Sequence, residues 1–183
     1  GLGIPAEPLF RSSYHHHILF EKVKTLDDFM EPIEFLVCVR CFTFNHASYI
    51  EDAMNGFCMQ KTNFPYVCVI IDDASTDGEP EVIMKYVSRN FNMEDKSVVR
   101  NEETDDYKMT FAQHKTNKNC FFAVYSLKYN HYSIKKSKME YLSEFLDHVK
   151  YHALCEGDDY WIAPEKLQKQ VDIMEKDNTV GLV

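Results

Sequence analysis

Four short apolar runs, at residues 35–42 (FLVCVRCF), 66–71 (YVCVII), 120–127 (CFFAVYSL) and 151–155 (YHALC), alternate with segments of helical period, and that alternation restricts what the chain can become. Runs so short and so apolar suit strands covered on both faces, as parallel strands are. After the first, Ile50, Ala53, Met54, Phe57 and Cys58 fall on one helical face, and Ser48 and Glu51 have the spacing of a capping box. After the second, Val82, Ile83 and Tyr86 resume a helical pattern, and residues 139–149 read as a helix before the fourth run. Pro164 opens a last helix in which Leu167, Val171 and Met174 share a face, a first-turn proline losing no helical hydrogen bond. The expectation is an α/β fold with an open, mostly parallel sheet and helices on both faces. Val98 and Val99 suggest one more short strand, and the polar block 100–119 reads as an inserted loop.

Residues 1–33 show no sustained period, contain Pro5, Pro8 and Pro32, and are expected to form an extension with one short helix at 26–30. Residues 34–183 then make one domain, since 183 residues leave no room for a second full core. A formal charge of -9 argues against nucleic acid as a partner, because such binding rests on Lys and Arg neutralising phosphates. No run approaches the roughly 18 apolar residues of a membrane span, and no signal-peptide pattern opens the chain. The expected location is therefore the cytoplasm. Starting at Gly1 and ending at VGLV as a new apolar stretch begins, the sequence reads as a fragment of a longer protein.

Of the six cysteines only Cys38 and Cys41 form a CxxC pair, and three residues apart on a strand they should face opposite ways. Zinc would need a second ligand pair, so reduced, buried thiols are expected. The run His15, His16 and His17 reads as a solvated segment rather than a chelator.

Two acidic pairs, Asp72-Asp73 and Asp158-Asp159, each follow directly on an apolar run. In an open parallel sheet both would lie at the carboxyl edge, where ligands bind. Either pair could instead cap the next helix or turn. The chain has six glycines and neither GxGxxG nor GxxxxGK[ST], so a phosphate would need another neutralising partner. Mg2+ or Mn2+ suits that task, taking one or two carboxylates and completing its shell with water and phosphate oxygens. DDASTDG also fits the first half of an EF-hand loop, but its twelfth position would be Met84, where a bidentate Glu is required.

In this order, CFTFNHASYIEDAMNGF, VCVIIDDASTDG, and ALCEGDDYW followed by PEKLQKQVD resemble the family 2 glycosyltransferases of the GT-A fold, especially bacterial enzymes of surface-polysaccharide synthesis. The likeness runs over residues 35–183. It implies that Phe42, Thr43, Phe44 and Asn45 contact the nucleotide, that Asp73 accepts a hydrogen bond from the base, and that Asp72 supports it. GDDYW would be the DxD-type motif, with Asp158 at the donor ribose and metal and Asp159 on the Mn2+ or Mg2+ that bridges the diphosphate. The segment NHYSIKKSK resembles the one preceding that motif in relatives; Lys135 or Lys136 could add positive charge near the diphosphate, or form a solvated basic face. Trp161 could wall the cleft or fill the core. The general base belongs to the acceptor-binding half, beyond residue 183, and a metal-bound carboxylate is poorly suited to replace it.

The resemblance implies transfer of a sugar, with inversion, from a nucleotide-diphosphate donor to a saccharide or lipid-linked saccharide acceptor, possible at the inner face of a membrane. Two other readings stand beside it. A nucleotidyltransferase would share the fold but usually carries a glycine-rich basic loop after the first strand, which FTFNHAS is not. A truncated domain could bind nucleotide sugar without turnover.

Overall fold

The apolar runs become strands and the periodic segments helices. In chain order the elements are β1 (Leu9–Arg11), β2 (Val37–Thr43), α1 (Ile50–Cys58), β3 (Tyr66–Asp72), α2 (Glu79–Asn90), β4 (Val99–Glu103), β5 (Tyr107–Gln113), β6 (Cys120–Leu127), α3 (Glu140–Leu146), β7 (Tyr151–Leu154) and α4 (Lys166–Lys176). This computed structural model describes residues 9–11 and 33–183, so the helix expected at 26–30 and the histidine run lie outside the described residues. The strands form one sheet in the order β1-β7-β2-β3-β6-β5-β4. Its four central strands are parallel, and the pairs at both edges are antiparallel.

Alternation along the strands sorts side chains into two layers. Val37, Val39 and Cys41 of β2 and Tyr66, Cys68 and Ile70 of β3 pack against α1, α2 and α4, through Phe57, Ile83 and Leu167 among others. Cys38, Val67, Val69 and Ile71 point the other way, toward Leu142 and Phe145 of α3. Cys38 and Cys41 thus lie on opposite faces, and all six thiols are free. Burial holds the buried thiols in the neutral form, Cys68 being pushed up to about 11. Trp161 belongs to the core, its ring 5.2 Å from that of Phe57.

Three local features differ from the sequence reading. Block 100–119 holds most of an antiparallel hairpin, β4–β5, which extends the sheet beyond β6. Residues 9–11, inside the segment read as an extension, pair antiparallel with β7 at the other edge. The Ser48–Glu51 capping box does not form, since α1 begins after Tyr49 and has no side-chain cap of its own. The preceding turn donates its N–H groups elsewhere: His46 N–H to Glu79 Oε2 (3.0 Å) and Ala47 N–H to Asp77 Oδ2 (2.9 Å).

The connection leaving β3 runs to α2 on one face, whereas that leaving β6 runs to α3 on the other. A sheet leaves an open crevice at the carboxyl ends of two neighbouring strands where this happens. Among the described residues no helix is long and apolar enough to cross a membrane. Because Phe57 joins α1 to the core, Phe57→Ala should lower unfolding free energy by about 3–5 kcal/mol. Phe44→Ala, at a 43% exposed position, should change it by less than about 0.5 kcal/mol. Urea titration of both variants checks the contrast.

Candidate functional site

Two acid-rich turns meet over the C-terminal end of β2. Thr43 pairs in register with Asp72 at the end of β3, and its carbonyl accepts the Asp73 N–H at 3.0 Å. From the other side the Phe42 carbonyl accepts the Gly157 N–H at 3.0 Å, which seats the turn carrying Asp158 and Asp159. Glycine is required there: a Cβ on residue 157 would stand 2.0 Å from Thr43 Oγ1 and 3.2 Å from His46 Nδ1. Phe42 and Thr43 therefore hold both acidic pairs at one sheet edge.

The β2–α1 and β3–α2 turns are laced together by side chains. Asn45, in the left-handed region at φ 58°, donates its N–H to Ser75 Oγ (2.8 Å) and accepts the Thr76 N–H at Oδ1 (2.8 Å). Asp77 accepts from Ala47 N–H and, at 3.1 Å, from Glu79 N–H. Glu79, fully buried, accepts from the Thr43 hydroxyl, from His46 N–H and from the Ser75 hydroxyl (2.8 Å). Much of DDASTDG thus shapes the FTFN turn. Thr43 and Asn45 serve this lacing, and Phe44 stands exposed beside them.

Neighbouring Asp72 and Asp73 point to opposite faces and have opposite electrostatics. Asp72 is fully buried; its Oδ2 accepts weakly from Ser75 N–H (3.4 Å) and its Oδ1 has no hydrogen-bond partner. Burial, aided by the charges of Glu79 and Asp73 and opposed by bonds from Ser75, pushes its carboxyl up to about 6. It lines a groove of about 410 Å3 with Ser75, Thr76, Lys108, Ser126 and Lys128, at the β3/β6 crevice. Burial pushes Asp73 up as well, but the Lys138 ammonium and two N–H groups outweigh it and hold this carboxyl below the usual range. Its Oδ1 accepts from His131 N–H (2.6 Å), and its Oδ2 from Lys138 Nζ (2.9 Å) and Tyr132 N–H (3.2 Å).

The sequence reading places the basic segment either near the diphosphate or on a solvated face, and Lys135 is exposed. Lys138, not singled out there, reaches Asp73 and lies 5.0 Å from the centre of the Phe42 ring, which Arg40 approaches at 4.8 Å. Lys136 turns to Asp106 of the β4–β5 hairpin (2.7 Å) and to Glu140 (3.4 Å), and Lys135 occupies a left-handed turn at φ 57°. Arg40 pairs with Glu156 at 2.9 Å, which occupies the first acid of the EGDD turn. Asp158 is half exposed, its Oδ2 3.9 Å from His46 Nε2; Asp159 donates its N–H to the Glu156 carbonyl (3.1 Å). No group of three or more His, Cys, Asp or Glu side chains suited to a metal ion occurs among the described residues. With Glu156 held by Arg40, the half-exposed Asp158 carboxylate is an oxygen donor at a wet edge, one that would suit a cation keeping water and substrate oxygens in its shell. A second groove, about 570 Å3 and lined by Gln60 and Asn117, lies at the opposite edge of the sheet; Asn117 Nδ2 is used there to hold the Cys58 and Gln60 carbonyls.

No protein-family model matches the chain. Over 134 residues, 73% of its length, it is 32% identical to uncharacterized proteins of Mycobacterium tuberculosis (Rv1520) and Mycobacterium bovis (Mb1547), and it spans 30% of the length of these relatives. Among solved structures, S. aureus TarS in complex with UDP superposes with a TM-score of 0.46 and 18% identity, covering 79% of this chain and 33% of that one. The mannosyltransferase PcManGT of Pyrobaculum calidifontis, in complex with GDP-Man and Mn2+, gives a TM-score of 0.49 and 18% identity, covering 82% of this chain and 37% of that one. Likeness at this level leaves the chemistry to the residues themselves.

Because the folded-state pKa of Asp72 lies above its unfolded value, its contribution to stability is complete below about pH 4 and is lost as pH rises through about 6. Asp72→Asn should therefore gain on the wild type between pH 4 and pH 7. Urea midpoints across that range check this, and parallel profiles would contradict it.

Proposed function

We propose that the chain is the donor-binding portion of a GT-A glycosyltransferase of the family 2 type, which moves a sugar with inversion from a nucleotide-diphosphate donor to an acceptor hydroxyl. The observation that carries this reading is the meeting of two acidic strand ends over Phe42 and Thr43, one through Asp73 N–H and one through Gly157 N–H.

In this reading the base sits near Asp73. Its carboxylate makes three hydrogen bonds, and a carboxylate has about four acceptor positions, so one remains for a base N–H. Phe42, Thr43, Phe44 and Asn45 border the nucleotide, with Asp72 behind them at the crevice. Lys138 adds positive charge beside Asp73, on the base side of the site. Asp158 meets the ribose and, with Asp159, would hold Mn2+ or Mg2+. When bound, such a cation would act as a Lewis acid toward the leaving nucleoside diphosphate, favouring the charge that develops there. The acceptor proposed is a saccharide or lipid-linked saccharide, and none of the described residues is assigned as the general base. The setting proposed is polysaccharide synthesis in the cytoplasm, at the inner face of a membrane.

Calorimetry with a panel of nucleoside diphosphates tests the reading. Binding should require Mn2+ or Mg2+ and weaken at least tenfold in Asp158→Asn and in Asp73→Asn, a loss of about 1.4 kcal/mol or more. Metal-independent binding, or none by folded protein, would count against it. Pyrophosphate release from a nucleoside triphosphate and a sugar phosphate would favour a nucleotidyltransferase instead.

A further inference from the structure

The turn beneath Asp158 contains a hydrogen-bond chain that the donor-site reading does not use. Glu79 lies fully buried, with the His46 N–H at 3.0 Å, the Ser75 hydroxyl at 2.8 Å and the Thr43 hydroxyl as its neighbours. A backbone N–H can only donate, and with three donors converging the carboxylate acts as acceptor at both oxygens. The single Thr43 hydroxyl proton is therefore directed at Glu79.

Having given that proton, Thr43 Oγ1 can only accept from its other polar neighbour, His46 Nδ1, 3.3 Å away. Nδ1 then carries the ring proton, and in the neutral imidazole the lone pair is left on Nε2. That atom lies 3.9 Å from Asp158 Oδ2. The distance is too long for a hydrogen bond. Metal–nitrogen and metal–oxygen bonds of about 2.0–2.2 Å at angles of about 90–110° place neighbouring ligands of one small cation roughly 2.8–3.6 Å apart, so a shift of a few tenths of an ångström in the half-exposed Asp158 side chain would bring the pair to that separation. A ligating histidine typically has its other nitrogen fixed by a carboxylate or another acceptor, and here Thr43 relays Glu79 to it.

We propose that His46, fixed in its Nδ1–H tautomer by the Glu79–Thr43 relay, ligates through Nε2 a divalent first-row transition metal shared with Asp158. The proposal rests on the donor-site reading for Asp158 and adds a nitrogen donor from a different strand end. It gives the site a chemical preference: imidazole nitrogen favours the later first-row metals such as Co2+ and Ni2+ over Mg2+, which prefers oxygen ligands. Gly157 fits the same arrangement, since its missing Cβ lets the Asp158 turn close onto Thr43 and His46.

Nitrogen-15 NMR of the metal-free chain at pH 8, above the ordinary histidine range, reads the tautomer directly. The expected result is a His46 ring protonated at Nδ1 and bare at Nε2, with selective broadening of its signals by substoichiometric Mn2+. In Glu79→Gln the amide can donate to Thr43, releasing the hydroxyl proton toward Nδ1, and the ring proton should move to Nε2. Calorimetry with Co2+ and with Mg2+ alone gives the second readout: His46→Asn should lose about tenfold or more in Co2+ affinity and less in Mg2+ affinity. A wild-type ring protonated at Nε2, or Co2+ affinity unchanged in His46→Asn, overturns this proposal alone. Metal affinity unchanged in Asp158→Asn, or no metal binding by the wild type, overturns the donor-site reading with it.

Discussion

Glu79 joins two turns that would otherwise be separate loops. A carboxylate fully withdrawn from water is costly unless its oxygens find donors. Here Thr43 at the end of β2, and His46 N–H and Ser75 in the turns after β2 and β3, supply them. With Asn45, Ser75, Thr76, Asp77 and Ala47 bonded across the same gap, the edge of β2 and β3 becomes one polar unit, without a glycine-rich loop. Thr43 is held in place within it. That fixes the surface against which Gly157 closes, and so the position of Asp158.

The sheet explains why the acids meet there. Four parallel strands end on one side, and the chain leaves β3 and β6 toward opposite faces, opening a crevice beside Asp72 and Asp73. The β4–β5 hairpin adds more than width to the sheet. Its Asp106 accepts from the Tyr129 hydroxyl and from Lys136, which pins the segment whose His131, Tyr132 and Lys138 fold over Asp73. An edge hairpin thereby shapes the pocket wall.

The sequence made the layered fold readable because buried parallel strands leave continuous apolar runs, and each such run marks its end with polar residues. The placement of Asp72-Asp73 and Asp158-Asp159 at one edge follows from that pattern. Strand β4 left only part of such a mark: Val98 and Val99 suggest a strand, but the residues that follow are exposed or half-buried, as edge strands often are, so RNEE looks like loop. Glu79 was equally hidden, since a glutamate in a helix's first turn is ordinary and its burial depends on partners more than thirty residues away in the chain. The basic run offered three lysines close together, and only the fold decides that Lys138 faces Asp73 while Lys136 faces Asp106.

The most direct measurement is an anomalous-scattering map from crystals of the chain grown with Mn2+ and the nucleoside diphosphate that binds it best. A manganese peak is expected about 2.0–2.3 Å from the Asp158 carboxylate, with the nucleotide over Phe42–Asn45 and its base against Asp73. A peak remote from Asp158, or a nucleotide seated in the groove lined by Gln60 and Asn117 at the opposite edge, would contradict the donor-site reading.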